Sequence, residues 1–178
     1  DIAGLKQGQS ILITGASGAV GSAAVQIACL LGTQVTGVCG TANIDYVRGL
    51  GAKRVIDYKK ENWLALDRQF DVILDAAAAT SFTSARPRLN TTGVYINTMP
   101  RAALFWSALV ARLGSQQRCV PFLLKTDSEL LRRLARLAVD QTIVPHIQET
   151  IGLAQVASAQ QQMEQGQVHG KICVRIVP

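Results

Sequence analysis

Between residues 15 and 21 the chain reads Gly15-Ala16-Ser17-Gly18-Ala19-Val20-Gly21, with a glycine at every third position. Residues without a side chain let a backbone turn sharply, approach a bulky anion and allow the next helix to pack close to the preceding strand. The apolar run Ile11-Leu12-Ile13 leads into this turn, and Val20, Ala23, Ala24, Ile27, Ala28 and Leu31 follow it at helical spacing, with Gly32 in the C-terminal cap position. A glycine turn between a strand and the free N–H groups of a helix N-terminus is suited to a pyrophosphate. This context points to a dinucleotide site where the glycines alone would be a weak signal.

The end of the second strand separates the two nicotinamide dinucleotides. An NAD site carries Asp or Glu about 20 residues past the glycines to hold the ribose 2′-hydroxyl. Here that position falls in Val38-Cys39-Gly40-Thr41, where no acid is present. An acid would repel a 2′-phosphate, so its absence predicts NADP. Thr41 and Asn43 can donate hydrogen bonds to such a phosphate, and Arg48, Lys53 and Arg54 lie close in sequence.

Other chemistry is sparse. Cys29, Cys39, Cys119 and Cys173 are scattered, with no C-x-x-C pair and no Cys/His spacing for zinc, so they are read as structural and no metal is expected. His146 and His169 have no Ser, Cys or carboxylate neighbour at triad spacing. Asp57 and Asp75 at strand ends read as turn or cap residues. No catalytic residue is assigned, because in a cofactor enzyme the dinucleotide carries the hydride chemistry and the fold aims its ring.

The elements that must position this turn alternate. Val35–Val38, Arg54–Ile56, Asp71–Leu74 and Gly93–Ile96 read as further strands, apolar throughout as strands covered on both faces are, and Ile44–Leu50 as a short helix closed by Gly51. This predicts an α/β fold, a doubly wound parallel sheet of the Rossmann type in one three-layer domain. Residues 101–113 are apolar and predicted helical, with Phe105 and Trp106 candidates for a cleft. Cys119–Leu124 adds a sixth strand, placed at an edge by Pro121. Thr126 and Glu129 form a capping box for a helix with Leu130, Leu131, Leu134, Leu137 and Ala138 on one stripe and Arg132, Arg133 and Arg136 on the solvated side. A last helix covers about 153–164, and Ile172, Val174 and Ile176 alternate as a strand with one exposed face.

The chain has 178 residues, 48% of them hydrophobic, enough for a full core without a metal or disulfide. No uncharged apolar run approaches the roughly 18 residues that span a bilayer, and no secretory signal pattern is present, so no membrane partner and a cytoplasmic setting are expected. The net charge of +6 raises nucleic acid as a partner, but aromatics do not interleave with the basic residues. A phosphate-bearing cofactor is the preferred explanation of the charge.

The chain resembles the medium-chain dehydrogenase/reductase superfamily in its zinc-independent quinone oxidoreductase branch. The carrying residues are Leu5–Ser10, Ile13–Gly21, Leu50-Gly51-Ala52, Val55-Ile56-Asp57-Tyr58, Phe70–Asp75 and Gly170-Lys171-Ile172. The resemblance implies a two-domain enzyme reducing quinones or α,β-unsaturated carbonyls with NADPH, active as a homodimer. It implies that Ala16, Ser17, Gly18, Ala19, Val20 and Gly21 hold the pyrophosphate, and that Gly40, Thr41 and Tyr58 meet the adenosine 2′-phosphate. Ala76 and Ala77 approach a ribose, and Asn97, Thr98 and Met99 lie near the nicotinamide. Many relatives place a basic residue just after the Thr of the adenosine turn, where this chain has Ala42, Asn43 and Ile44.

The resemblance further implies that residues 1–145 are the cofactor domain and that 146–178 form the helix and strand that pack with a catalytic domain. That catalytic domain, with the substrate pocket, is expected to lie outside this chain. The zinc-dependent alcohol dehydrogenase branch and a polyketide enoyl reductase module are the enzymatic alternatives. A module that binds NADPH or nucleic acid without turnover is the alternative of another class.

Overall fold

The computed structural model describes residues 3–99, 116–122 and 127–176. Six strands form one parallel sheet: β1 (Ser10–Thr14), β2 (Gln34–Cys39), β3 (Arg54–Asp57), β4 (Phe70–Asp75), β5 (Leu89–Asn97) and β6 (Arg118–Pro121). Their spatial order is β3-β2-β1-β4-β5-β6. The chain winds outward from β1 to β3, returns to β4 beside β1, and winds outward again on the other side. The direction therefore reverses between β1 and β4, and in open α/β sheets the crevice beyond the strand ends at that point is where ligands sit. Helix α1 (Ala19–Leu30) links β1 to β2, α2 (Ile44–Gly49) links β2 to β3, and the single turn α3 (Phe82–Ala85) precedes β5.

Successive strand residues point to opposite faces, and both faces carry a core. Leu12, Ile56, Phe70, Ile73, Leu89 and Tyr95 pack on one face. Ile11, Ile13, Val25, Val35, Val47 and Val72 pack on the other, beneath α1 and α2. The strands are apolar without alternation because neither face meets water. Each fully buried aliphatic side chain contributes about 1.5–3 kcal/mol.

Polar bolts close both ends of β4. At its start Asp71 accepts from Ser10 N (2.8 Å), Ser10 Oγ (2.9 Å) and Asn90 Nδ2 (2.7 Å), tying β1, β4 and β5 together. Burial pushes the Asp71 pKa up, but the hydrogen bonds from Ser10 and Asn90 outweigh it and hold it below the usual range. The Asn90 contact also explains why β5 starts at Leu89, four residues before the apolar run that announces it. The register moves from Phe70 opposite Leu89 to Val72 opposite Val94, and this bulge absorbs the polar residues between.

Later elements depart further from expectation. The edge position of the sixth strand is confirmed, with described bounds Arg118–Pro121; Leu123, Leu124 and the expected helix over 101–113 lie outside the described residues. Helix α4 (Ser128–Val139) is capped by Asp127, whose carboxylate accepts from Glu129 N and Leu130 N, while Thr126, expected to pair with Glu129 in a box, lies outside the described residues. An Asp one residue closer to the helix is the better acceptor for its first amides. The leucine stripe of α4 is not core: Leu130, Leu131 and Leu134 are exposed along with Arg132, Arg133 and Arg136. No helix among the described residues is long and apolar enough to cross a membrane.

A strand unread in the sequence, β7 (Ile147–Gly152), pairs in parallel with β8 (Lys171–Arg175) in a separate two-stranded sheet. A 3₁₀ turn at Leu153–Gln155 and helix α5 (Val156–Glu164) connect them. This pair is tied to the glycine turn, because Gly170 N donates to Ser17 O (2.9 Å) and Gly170 bridges to Gly18. Gly170 has φ +69°, and a Cβ there would stand 2.4 Å from His146 O. Gly170→Ala is expected to loosen this attachment. Hydrogen–deuterium exchange should show the amides of β7 and β8 losing about tenfold in protection, with β1 and β4 unchanged. Unaltered protection of β7 and β8 would show that the anchor lies elsewhere.

Candidate functional site

The crevice at the switch point is floored by the glycine turn. Gly15 has φ +61°, a left-handed conformation that favours glycine, and a Cβ on it would press on Ala77 N and Cβ at 3.2 Å. Gly21 is required for a different reason, since a Cβ would lie 2.0 Å from Gly15 O inside the seat of α1. Gly18 meets only Gly15 O, at 3.4 Å, so nothing in the described protein demands a glycine there. It is the position whose bare backbone is left for a ligand to approach. Gly18 caps α1 without a side chain, and the first turn of α1 carries no acid, so its N-terminal amides and partial positive charge face the crevice uncompensated. A pyrophosphate fits this cradle.

The far wall is organised by Asp75, fully buried at the end of β4. Its carboxylate accepts from Thr14 Oγ1 (2.6 Å), Thr80 N (2.9 Å), Ala79 N (3.3 Å) and Asn97 Nδ2 (3.3 Å). The Tyr95 hydroxyl shares its proton between Asp75 Oδ2 (2.9 Å) and Thr80 O (2.6 Å). Ala77 N donates to Thr14 Oγ1 (3.4 Å), and Thr98 N donates to Asp75 O (3.3 Å). Ala76, Ala77, Asn97 and Thr98 thus come together beside the turn. Burial raises the Tyr95 pKa strongly, so this phenol keeps its proton and is no acid for the reaction.

The adenosine side differs from expectation. Asp57, at the end of β3, lies level with Cys39 of β2 and is buried. Its carboxylate accepts from Thr41 Oγ1 (2.6 Å) and Lys59 N (3.0 Å). The Thr41 bond, with smaller help from Lys59 and Lys60, keeps its pKa below the usual carboxylate range. Asn43 is buried and donates to Ser17 Oγ (3.0 Å), while its Oδ1 has no partner among the described residues. Both residues expected to offer donors to a phosphate are engaged within the protein. Tyr58 is exposed, and its ring stands 3.5 Å from where a Gly40 Cβ would be.

Three of the basic residues are placed elsewhere. Lys53 and Arg54 sit at the start of β3, at the opposite end from the crevice, and Arg54 pairs with Glu61 (2.8 Å). Arg48 pairs with Asp45 (2.7 Å).

A model of the family described as zinc-binding dehydrogenase matches residues 50–174. The chain belongs to this family. It is 32% identical over 170 residues to a chloroplast envelope quinone oxidoreductase homolog of Arabidopsis thaliana, covering 93% of the chain and 52% of that protein. It is 33% identical over 171 residues to the chloroplastic quinone-oxidoreductase QR1 of Triphysaria versicolor, with the same coverage. The structure of a quinone oxidoreductase from Coxiella burnetii superposes with a TM-score of 0.88 at 26% identity, over 99% of this chain and 55% of that one. The chain spans about half the length of the curated relatives it matches.

Within this family frame, the remaining candidates are structural. Among the described residues no three His, Cys, Asp or Glu side chains cluster as a metal ion would need. The cysteines are free, and burial pushes the Cys39 and Cys119 thiols to about 11, Asp57 adding to the effect at Cys39. His146 packs on Tyr46 at 4.8 Å between ring centroids and His169 at 6.4 Å, on the C-terminal side of the molecule. His146 and Tyr46, with Gln26, Leu30, Leu50 and Val144, line a cavity of about 730 Å³ that contains none of the residues expected to hold the dinucleotide.

The three glycines therefore make unequal demands. Gly21→Ala is expected to destabilise the fold by about 2–4 kcal/mol, although Ala is the better helix former, because the added methyl collides with backbone. Gly18→Ala is expected to stay within about 1 kcal/mol of wild type. Urea unfolding of the two variants checks the contrast, and equal stability would overturn it.

Proposed function

We propose that this chain is the cofactor-binding half of an NADPH-dependent oxidoreductase that passes hydride to a quinone or an α,β-unsaturated carbonyl. The observation that carries the reading is the uncapped, acid-free N-terminus of α1 above Gly18 at the switch point of the sheet. Relatives named quinone oxidoreductase support the acceptor class. A trans-enoyl reductase of Aspergillus terreus, 28% identical over 185 residues, supports the enone alternative within it. We assign the acceptor pocket to the rest of the protein, and its state to a homodimer.

When bound, the nicotinamide supplies the hydride. The residues of this chain hold and orient. Amides of Ala19, Val20 and Gly21 face the pyrophosphate, with Ala16, Ser17 and Gly18 shaping the turn beneath it. Ala76 and Ala77 line the ribose, and Asn97 and Thr98, fixed by Asp75, border the nicotinamide. Gly40, Thr41, Asn43 and Tyr58 enclose the adenosine ribose. No proton donor is required from this half, in keeping with the raised pKa values of Tyr95, Cys39 and Cys119.

Calorimetric titration with NADPH and NADH, followed by measurement of cofactor oxidation with a quinone and with an enone, tests the reading. Micromolar NADPH binding is expected, weakened at least tenfold by Gly18→Val, whose side chain enters the cradle while the fold persists. Turnover should follow with at least one acceptor class. Absence of dinucleotide binding to the folded protein would overturn the proposal, and turnover of neither acceptor would overturn its substrate half.

A further inference from the structure

The acid that a site for NAD places at the end of β2 is missing from that strand, but the fold supplies one from the neighbouring strand. Asp57 is opposite Cys39 in the β2–β3 ladder, and its carboxylate reaches across to the Thr41 hydroxyl at 2.6 Å. We propose that cofactor choice in this protein is set from β3, with Asp57 as the specificity-determining acid at the adenosine ribose and Lys59 and Lys60 as the cations that admit a 2′-phosphate beside it. The inference rests on the reading that the Gly15–Gly21 turn holds a nicotinamide dinucleotide.

The donor inventory of the corner supports this assignment. Thr41 already gives its one proton to Asp57, and the Asn43 amide gives one of its own to Ser17, leaving an unpartnered acceptor, Oδ1. The β2 turn thus carries no cation, its two polar side chains are turned toward the protein, and a carboxylate lies behind them. Such a corner suits the two hydroxyls of an unphosphorylated ribose, which can donate to an acid, and resists a phosphate dianion.

Cations come from the next stretch of chain. Arg48 and Arg54 are paired with carboxylates other than Asp57, whereas Lys60 pairs loosely with Asp57 itself, at 4.0 Å from Nζ to Oδ2, and both Lys59 and Lys60 act electrostatically on that group. Both lysines are exposed, as is Tyr58, so their ammonium groups can swing to a ligand. The balance of one acid against two lysines leaves a modest preference for NADPH, open to change in either direction.

The test titrates wild type, Asp57→Asn and the double variant Lys59→Gln/Lys60→Gln with NADPH, NADH, 2′,5′-ADP and 5′-AMP at fixed ionic strength. The side-chain carbonyl introduced by Asp57→Asn still accepts from Thr41, so the turn survives, and retained NADPH binding reports that the site is intact. Asp57→Asn should widen the NADPH-over-NADH preference by about tenfold, and the lysine variant should narrow it by about tenfold, with NADH within about twofold of wild type. The same ordering is expected for 2′,5′-ADP against 5′-AMP. Ratios unchanged in both variants, with dinucleotides still bound, would overturn this inference and leave the proposed function standing. Wild type that binds none of the four nucleotides would overturn both.

Discussion

Asp75 brings a carboxylate to a place where no solvent reaches it, and the structure around the crevice is arranged to make that tolerable. Leaving such a group without partners costs several kcal/mol, while each hydrogen bond to a charged acceptor contributes about 1.5–3 kcal/mol. Its partners arrive from β1 through Thr14, from the loop after β4 through Ala79 and Thr80, and from β5 through Tyr95 and Asn97. Satisfying the acid therefore fixes three pieces of chain relative to one another at the point where the winding reverses. The same Thr14 hydroxyl that donates to Asp75 accepts from Ala77 N, and Ala77 is the residue against which Gly15 packs. The glycine turn and the wall opposite it are thus one mechanical unit.

What was legible in the sequence follows from which interactions are local. The turn from Gly15 to Gly21 and the apolar strands β1 to β4 depend on periodicity and on residues near one another in the chain. Asp75 read only as a strand-end residue because its donors are spread from Thr14 to Asn97. Asp57 read as a turn residue, and it is one, since it binds Lys59 N. The specificity role proposed for it depends on the β2–β3 register, which no spacing along the chain reveals. An acid counted from the glycines along β2 alone leaves out one that stands on the neighbouring strand. Likewise β7 has only Ile147 and Ile151 as apolar landmarks, and it becomes a strand by pairing with β8, some twenty residues on.

The exposed leucines of α4 mark the other limit of pattern reading. Spacing tells which residues share a face and says nothing about what covers it. Leu130, Leu131 and Leu134 share a face as expected, and that face remains open among the described residues. The β7–β8 pair is similarly exposed along much of its length, and is held to the sheet domain by Gly170 at the glycine turn and by Gln26, which exchanges hydrogen bonds with the Val144 backbone at 2.8 and 3.1 Å. A short polar attachment of this kind ties the C-terminal pair to the glycine turn, so that whatever packs on β7 and β8 is positioned relative to that turn.

The crevice thus divides its tasks between backbone and side chains. On the proposed reading, pyrophosphate recognition needs only amides, a helix terminus and the absence of side chains, so it carries no information about which dinucleotide is bound. Discrimination at the ribose depends on one or two charges, each reachable from more than one strand. A β2 turn lacking both acid and base is consequently an incomplete statement about specificity: the strand beside it can supply the acid in its core-facing end and the cations in the exposed residues that follow. In this chain those groups are consecutive but for one position, Asp57 then Lys59 and Lys60, so on the proposed reading a single short segment carries opposing contributions to the same choice.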